Sequence, residues 1–331
     1  MEFLNTTPLP AVLTKGALGE RELLASVTCK ITFGLDQGWL VPVADEEMWP
    51  VFEEPFDFQG VTLNVDTDYR QQKTDLLIFG SAKTPKQQPL AKMPIGLQSS
   101  KRTLVARWVF GNRFWLKDMF GGLKASEPRP FTEMPITNEF AFGGMISMNG
   151  QDVGHMINPV GRGYYFTAED ALNKPLPNVE RTENLIQKWE DRPIPGCLYK
   201  PIGPLELAAT GQIKPEDLAA VMLPNAMQNA IPELRLDPND LGEWLRIIGF
   251  DHNGDQYYPT PPLNAGFVRL TLGEKRSRFP LILRSLIVLA DHKVVIASYR
   301  ADFRYLMQAF TKRTAELHWT AQLPVKPVKP R

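Results

Sequence analysis

Between Leu23 and Leu35 apolar residues recur at every second position. Leu23, Ala25, Val27, Cys29, Ile31, Phe33 and Leu35 alternate with the polar Ser26, Thr28, Lys30 and Thr32. Successive side chains of an extended chain point to opposite sides, so the pattern predicts a strand with one face on a core and a polar face opposite. Asp36-Gln37-Gly38 supplies turn residues before Trp39 to Val43, which predicts a hairpin. Thr74 to Ala82 is a short apolar strand whose Gly80 marks a bulge or a close backbone approach. Thr103 to Phe110 and Arg113 to Lys117 flank Gly111-Asn112, which predicts a tight hairpin with Trp108 and Trp115 packed across it. Residues 281 to 303 form another hairpin around Asp291-His292-Lys293, and alternation from Thr314 to Ala321 predicts a late strand.

Helical signals are few. Short helices are expected at Arg181 to Trp189, Pro215 to Met222 and Pro238 to Ile247, the last with Asp237 as N-cap. Twenty-nine prolines in 331 residues reinforce this, because proline removes a backbone donor and breaks helix interiors. The expected fold is mainly β: antiparallel sheets, sandwich-like and in two lobes, with long ordered loops and a few short helices. Its parts are an N-terminal antiparallel β region (1–125), a Pro/Gly/Asn-dense central region packed on it (126–205), a C-terminal β-rich region with short helices (206–322) and a Pro/Lys tail (323–331). The tail favours extended polyproline-like structure, either as a ligand for an aromatic groove or, as expected here, as an unstructured end.

Formal net charge is zero, yet charge is segregated along the chain. Asp36 to Asp68 carries nine acids and no base, whereas Val268 to Arg313 carries ten Lys or Arg against Glu274, Asp291 and Asp302. These stretches are either solvated faces that neutralise each other or an acidic and a basic docking surface, with Arg276 and Arg278 as candidate partner contacts. The balance gives no general attraction to nucleic acid or membrane. Two distant cysteines, Cys29 and Cys197, make neither a disulfide framework nor a CxxC motif, and Cys29 reads as a buried small hydrophobe. No basic stretch followed by an apolar core opens the chain and no run approaches the roughly 18 apolar residues that span a bilayer, so a cytoplasmic protein is expected.

Candidate chemistry is sparse. The four histidines are scattered, and no nucleophile elbow, P-loop or dinucleotide fingerprint occurs, so neither metal nor cofactor is expected. Asp66 and Asp68 stand on one side of an extended Asn64 to Tyr69 segment, which leaves a paired-carboxylate hydrolase as the alternative to simple loop solvation. In Asn158 to Tyr164, glycines bracket Arg162, which either presents its guanidinium to a partner or bonds carbonyls of the irregular centre from within. Phe142, in Ala141-Phe142-Gly143-Gly144, reads as an aromatic anchored at a turn, and with Tyr164 it joins the candidate partner-binding residues.

Several segments resemble one bacterial family, the domain of unknown function 2169. They are Lys30-Ile-Thr-Phe33, Lys73 to Gly80 with Thr84-Pro85, Lys101 to Leu104 with Gly111 to Trp115, Pro130 to Pro135, Glu139 to Gly144, Asn158 to Gly163 and Leu176 to Glu180. Each is short, but their order and spacing together are specific, and they lie within residues 1 to 180. The resemblance implies an adaptor or chaperone of type VI secretion rather than an enzyme. Its implied partners are an effector or that effector's PAAR-like spike-tip region, and the VgrG spike.

Overall fold

The computed structural model describes residues 1–18, 20–148, 151–200, 228–306 and 312–327. It is mainly β, with antiparallel sheets, one of them nearly closed and barrel-like. At the centre of the larger sheet the strand Glu22–Asp36 runs antiparallel to Val294–Leu306, in register from Glu22↔Leu306 to Gly34↔Val294. Ala11–Ala17 lies on its other edge, and Trp39–Pro42 folds back on its end as the hairpin expected from Asp36-Gln37-Gly38. Beyond Val294–Leu306 come Lys275–Leu289, Asn264–Leu272, Arg313–Trp319 and the parallel Glu2–Asn5. Strands from residues 1–125 and from 206–322 therefore interleave in one sheet.

Lys275–Leu289 changes neighbours along its length. It pairs with Asn264–Leu272 up to Ile282, and past a register shift between Leu283 and Ser285 its second half runs parallel to Thr74–Phe79. Thr74–Phe79 is buried at every position rather than alternating, so both of its faces are covered. The smaller sheet orders Val179–Arg181, Thr103–Phe110, Lys92–Ser99, Trp244–Ile248 and Gln256–Pro259. One apolar core draws from both sheets, with Ile31, Phe33, Ile78, Leu286 and Ile296 from the larger and Leu97, Val109 and Ile247 from the smaller. A second, compact cluster joins Trp115 to Phe142, Ala171, Leu176 and Ile186 of the central region.

Three local expectations change. Gly111-Asn112 makes no hairpin, because Thr103–Phe110 pairs with Lys92–Ser99 and Val179–Arg181 while Trp115–Lys117 pairs with Leu123–Ala125. Gly111 is required for a different reason: a Cβ there would lie 1.7 Å from the Arg129 carbonyl oxygen, so glycine permits a backbone-to-backbone approach. Pro238 to Ile247 divides into a 3-10 turn, Pro238–Leu241, and the strand Trp244–Ile248, separated by Gly242 at φ +67. Asp237 does not cap that turn with its side chain; it pairs with Lys73 at 2.5 Å. Residues after Arg181 turn rather than coil into a helix, because the buried Glu180 carboxylate accepts the Ile186 N–H at 2.8 Å and folds the segment back. The helix expected at Pro215 to Met222 lies outside the described residues. The one α-helix among those described, Ala168–Ala171, is closed by a Thr167–Asp170 capping box. In the tail, Val325 exchanges backbone hydrogen bonds with Leu40, so up to that point the chain is tied to the sheet.

From Ser26 to Thr32 the polar face of Glu22–Asp36 does not meet water. Ser26, Thr28, Lys30 and Thr32 are all buried, covered by the acidic stretch that follows the hairpin. Asp66 of that stretch sits 2.6 Å from Lys30 Nζ, and the Trp49 N–H donates to the Thr32 hydroxyl at 3.0 Å. From the neighbouring strand, Arg300 donates to the carbonyls of Asp68, Tyr69 and Gln71. Part of the acidic stretch is thus packed against the basic strand, with Lys30–Asp66 as the ion pair in that layer and Arg300 bonded to backbone carbonyls.

Candidate protein-interaction surface

The two aspartates of the expected carboxylate pair are both engaged. Asp66 accepts the Phe52 N–H at 2.7 Å and the Ser298 hydroxyl at 3.2 Å besides facing Lys30. Asp68 holds Arg70 through both carboxylate oxygens. Burial pushes its carboxyl up, but the Arg70 guanidinium outweighs this and keeps it below the ordinary range. The Asp66 oxygens tie loop to sheet, and those of Asp68 brace the loop on itself.

Arg162 and Phe142 come together as neighbours in a short parallel pairing, Phe142↔Arg162 and Gly143↔Gly163. Arg162 Nε donates to the Glu139 carbonyl at 2.7 Å, Nη1 reaches Asn178 Oδ1 at 3.2 Å, and the guanidinium lies 4.1 Å from the Phe140 ring centre. It bonds the irregular centre, one of the two roles its glycine-bracketed position allowed. Asn158 completes the lock through Nδ2 donated to the carbonyls of Asn138 and Phe142. Gly143, at φ +148, has room for no side chain, since a Cβ would meet the Asn158 carbonyl oxygen at 1.9 Å. Phe142 is buried, and half-buried Tyr164 packs edge-on against it and His155, with Arg192 above the Tyr164 ring.

Arg276 and Arg278 stand exposed on Lys275–Leu289, cross-strand from Thr271 and Arg269. Arg278 lies over the Phe267 ring at 4.7 Å, and Arg269 pairs with Glu316 at 3.1 Å. No hydrogen bond, ion pair or ring contact among the described residues joins this basic face to Arg162, Phe142 or Tyr164.

What the sequence reading missed is apolar. Met119 and Phe120 are 91% and 94% exposed at the tip of the Trp115–Lys117/Leu123–Ala125 hairpin. That tip is braced. Asp118 Oδ1 accepts the N–H groups of Phe120 and Gly122, both at 2.8 Å, and the Asp118 N–H donates to the Gly122 carbonyl at 2.9 Å. Its root is Trp115, buried in the second core cluster. A large apolar pair inside an otherwise turn-forming Asp-x-x-Gly-Gly sequence was the available signal.

A second apolar display lies along Met145–Met148/Gln151–Gly154 and the loop after it, where Met145, Met156, Ile157 and Val160 are exposed. The loop is held by the His155 N–H donating to the Gly144 carbonyl and the Asn158 N–H donating to His155 Nδ1. Burial first, then the nearby Arg192, lowers the affinity of His155 for a second proton, which suits this acceptor role. Ile157 and the exposed Ile194 also line a groove of about 410 Å³.

Cys197 borders that groove, but burial pushes its thiol up to about 12, as it does for Cys29, so neither is primed as a nucleophile. Among the described residues no three or more His, Cys, Asp or Glu side chains gather as a metal site. No described helix is long and apolar enough to cross a membrane.

A family model described as "Uncharacterized protein conserved in bacteria (DUF2169)" matches residues 20–300. Neither a curated protein nor a solved structure matches the chain.

Proposed function

The chain belongs to the bacterial family DUF2169, and from that membership we propose that it works by binding, as a type VI secretion adaptor in the cytoplasm. It holds an effector or its PAAR-like spike-tip region, keeps it folded and brings it to the VgrG spike. One observation carries the reading. The backbone is braced so as to display large apolar side chains to water, above all Met119 and Phe120. An exposed Phe or Met forgoes about 1.5–3 kcal/mol of burial free energy. A rigid loop that forgoes it twice supports a role in which a partner covers the tip, as aromatic anchors do at protein interfaces. The exposed Arg276 and Arg278 fit the same role as steering charges, which change association rate more than affinity.

The test is co-expression with the proteins encoded beside the gene, followed by pull-down and a measurement of the half-life of whichever is retained. The adaptor is expected to retain and stabilise one of them, and Met119→Ser/Phe120→Ser is expected to weaken that retention. Absence of both retention and stabilisation by the unaltered protein refutes the role.

A further inference from the structure

The groove that Ile157 enters is lined by residues far apart in sequence: Arg107 from the smaller sheet, Arg181 and Ile194 to Lys200 from the segment after it, and Ile231 to Arg235. Its walls are aliphatic or proline, namely Ile157, Ile194, Pro195, Ile231 and Pro232. Among the described residues its polar lining is one-sided, with Arg107, Arg181 and Arg235 beside the carboxylate of Glu233. One oxygen of Glu233 serves two guanidinium groups, at 3.2 Å from Arg107 and 2.6 Å from Arg181. Arg107 is 2% exposed, so this is a cation withdrawn from water beside a like charge. Burial and then Arg181 both act against its charged form, and Glu233 only partly offsets them. Glu183 also holds Arg181, but it is not among the groove's lining residues.

We infer that this groove binds an acidic side chain carried on an extended, aliphatic-rich segment of a partner protein. The arginine cluster takes the carboxylate, and the Ile/Pro walls take the flanking side chains. A volume of about 410 Å³ lies within the range of roughly 300–1,000 Å³ typical of binding clefts. Ile157 continues outward into exposed Met156 and Val160, so the apolar strip extends past the cavity as a chain segment requires. Guanidinium groups match a carboxylate in geometry as well as charge. Among the described residues no aromatic ring lines the groove for stacking a nucleotide base.

This inference names the partner chemistry for the binding role proposed above, and it is tested without the secretion partners. The probe is a fluorescent, end-capped synthetic peptide alternating Glu with Leu and Val, followed by anisotropy on the full chain. The Gln-for-Glu peptide and a Gln peptide with a free C-terminal carboxylate serve as comparisons. The Glu peptide is expected to bind at least about tenfold tighter than its capped Gln counterpart, a gap that closes as salt screens the charges. Arg181→Glu and the solvent-exposed Ile194→Ser should each weaken it by about tenfold or more, with the exposed Lys15→Glu unchanged. Circular dichroism and thermal midpoints identify any variant that has failed to fold, and Ile194→Ser carries the test if Arg181→Glu does.

Three results overturn the inference: no binding of the Glu peptide at about 1 mM, equal binding of the Glu and capped Gln peptides, or binding that needs only the free C-terminal carboxylate. Peptide binding without effector retention leaves the groove assignment standing and removes the secretion role. Effector retention without peptide binding does the reverse.

Discussion

Replacing Lys30 by Met tests how the covering loop is held to the sheet. Lys30 is 0% exposed, its ammonium lies 2.6 Å from Asp66 Oδ2 and 3.4 Å from the Phe52 ring centre, and it makes no aligned hydrogen bond. Burial outweighs Asp66 in setting its protonation and lowers its pKa. Breaking a buried ion pair from one side costs about 3–5 kcal/mol, chiefly because the surviving charge is stranded. In Lys30→Met the thioether stem still packs on Phe52, and Asp66 keeps the Phe52 N–H and the Ser298 hydroxyl, so the expected loss is at the lower end, about 3 kcal/mol. In Asp66→Asn the ammonium loses its one counter-ion, and the loss moves toward about 5 kcal/mol. The double variant leaves no charge stranded and should cost less than Asp66→Asn alone, a departure from additivity of at least about 3 kcal/mol. Urea unfolding followed by tryptophan fluorescence and circular dichroism gives these values, provided the two probes coincide. A loss below about 0.5 kcal/mol for Lys30→Met, or strict additivity in the double variant, would refute the account.

Asp75 supplies a pH dependence. It is wholly buried, and burial pushes its carboxyl from 3.8 up to about 6 despite bonds from the Asn229 N–H and the Gln228 and Gln71 amides. A carboxyl raised on folding stabilises most when protonated, so its contribution declines as pH rises from the unfolded value through the folded one. From about pH 4.5 to about pH 7.5 the wild type should lose about 2 kcal/mol relative to Asp75→Asn, read as the difference between two urea series. A flat difference removes the assignment. Gly143→Ala should cost at least about 2 kcal/mol because of its positive φ and the Asn158 carbonyl, with Gly34→Ala, where a Cβ meets nothing within 4 Å, as the mild comparison. Phe120→Ser should leave the unfolding free energy within about 0.5 kcal/mol of wild type while weakening partner retention, and a large loss of stability would show the ring to be structural. Arg276→Glu with Arg278→Glu should slow association with an acidic partner at low salt and lose that effect at about 1 M salt, measured by surface plasmon resonance.

The sequence by itself determined the class of structure and much of its central sheet. Strict alternation from Leu23 to Leu35, the hairpin at Asp36-Gln37-Gly38 and the 281–303 hairpin are all present, because extended geometry and turn chemistry are local properties. It also showed that the two faces of Glu22–Asp36 differ. Only the tertiary structure decided that both are buried, since periodicity records a contrast between faces and not which of them meets water. The same limit explains Gly111, whose requirement comes from Arg129, and Trp244–Ile248, which is a strand because Gly96 to Ser99 offers it an edge. Arg162 was legible as unusual, but its choice between partner and interior rested on Glu139 and Asn178. The groove was not legible at all. Arg107, Arg181 and Arg235 carry no common motif, and they become a site only because three separate segments fold against one another.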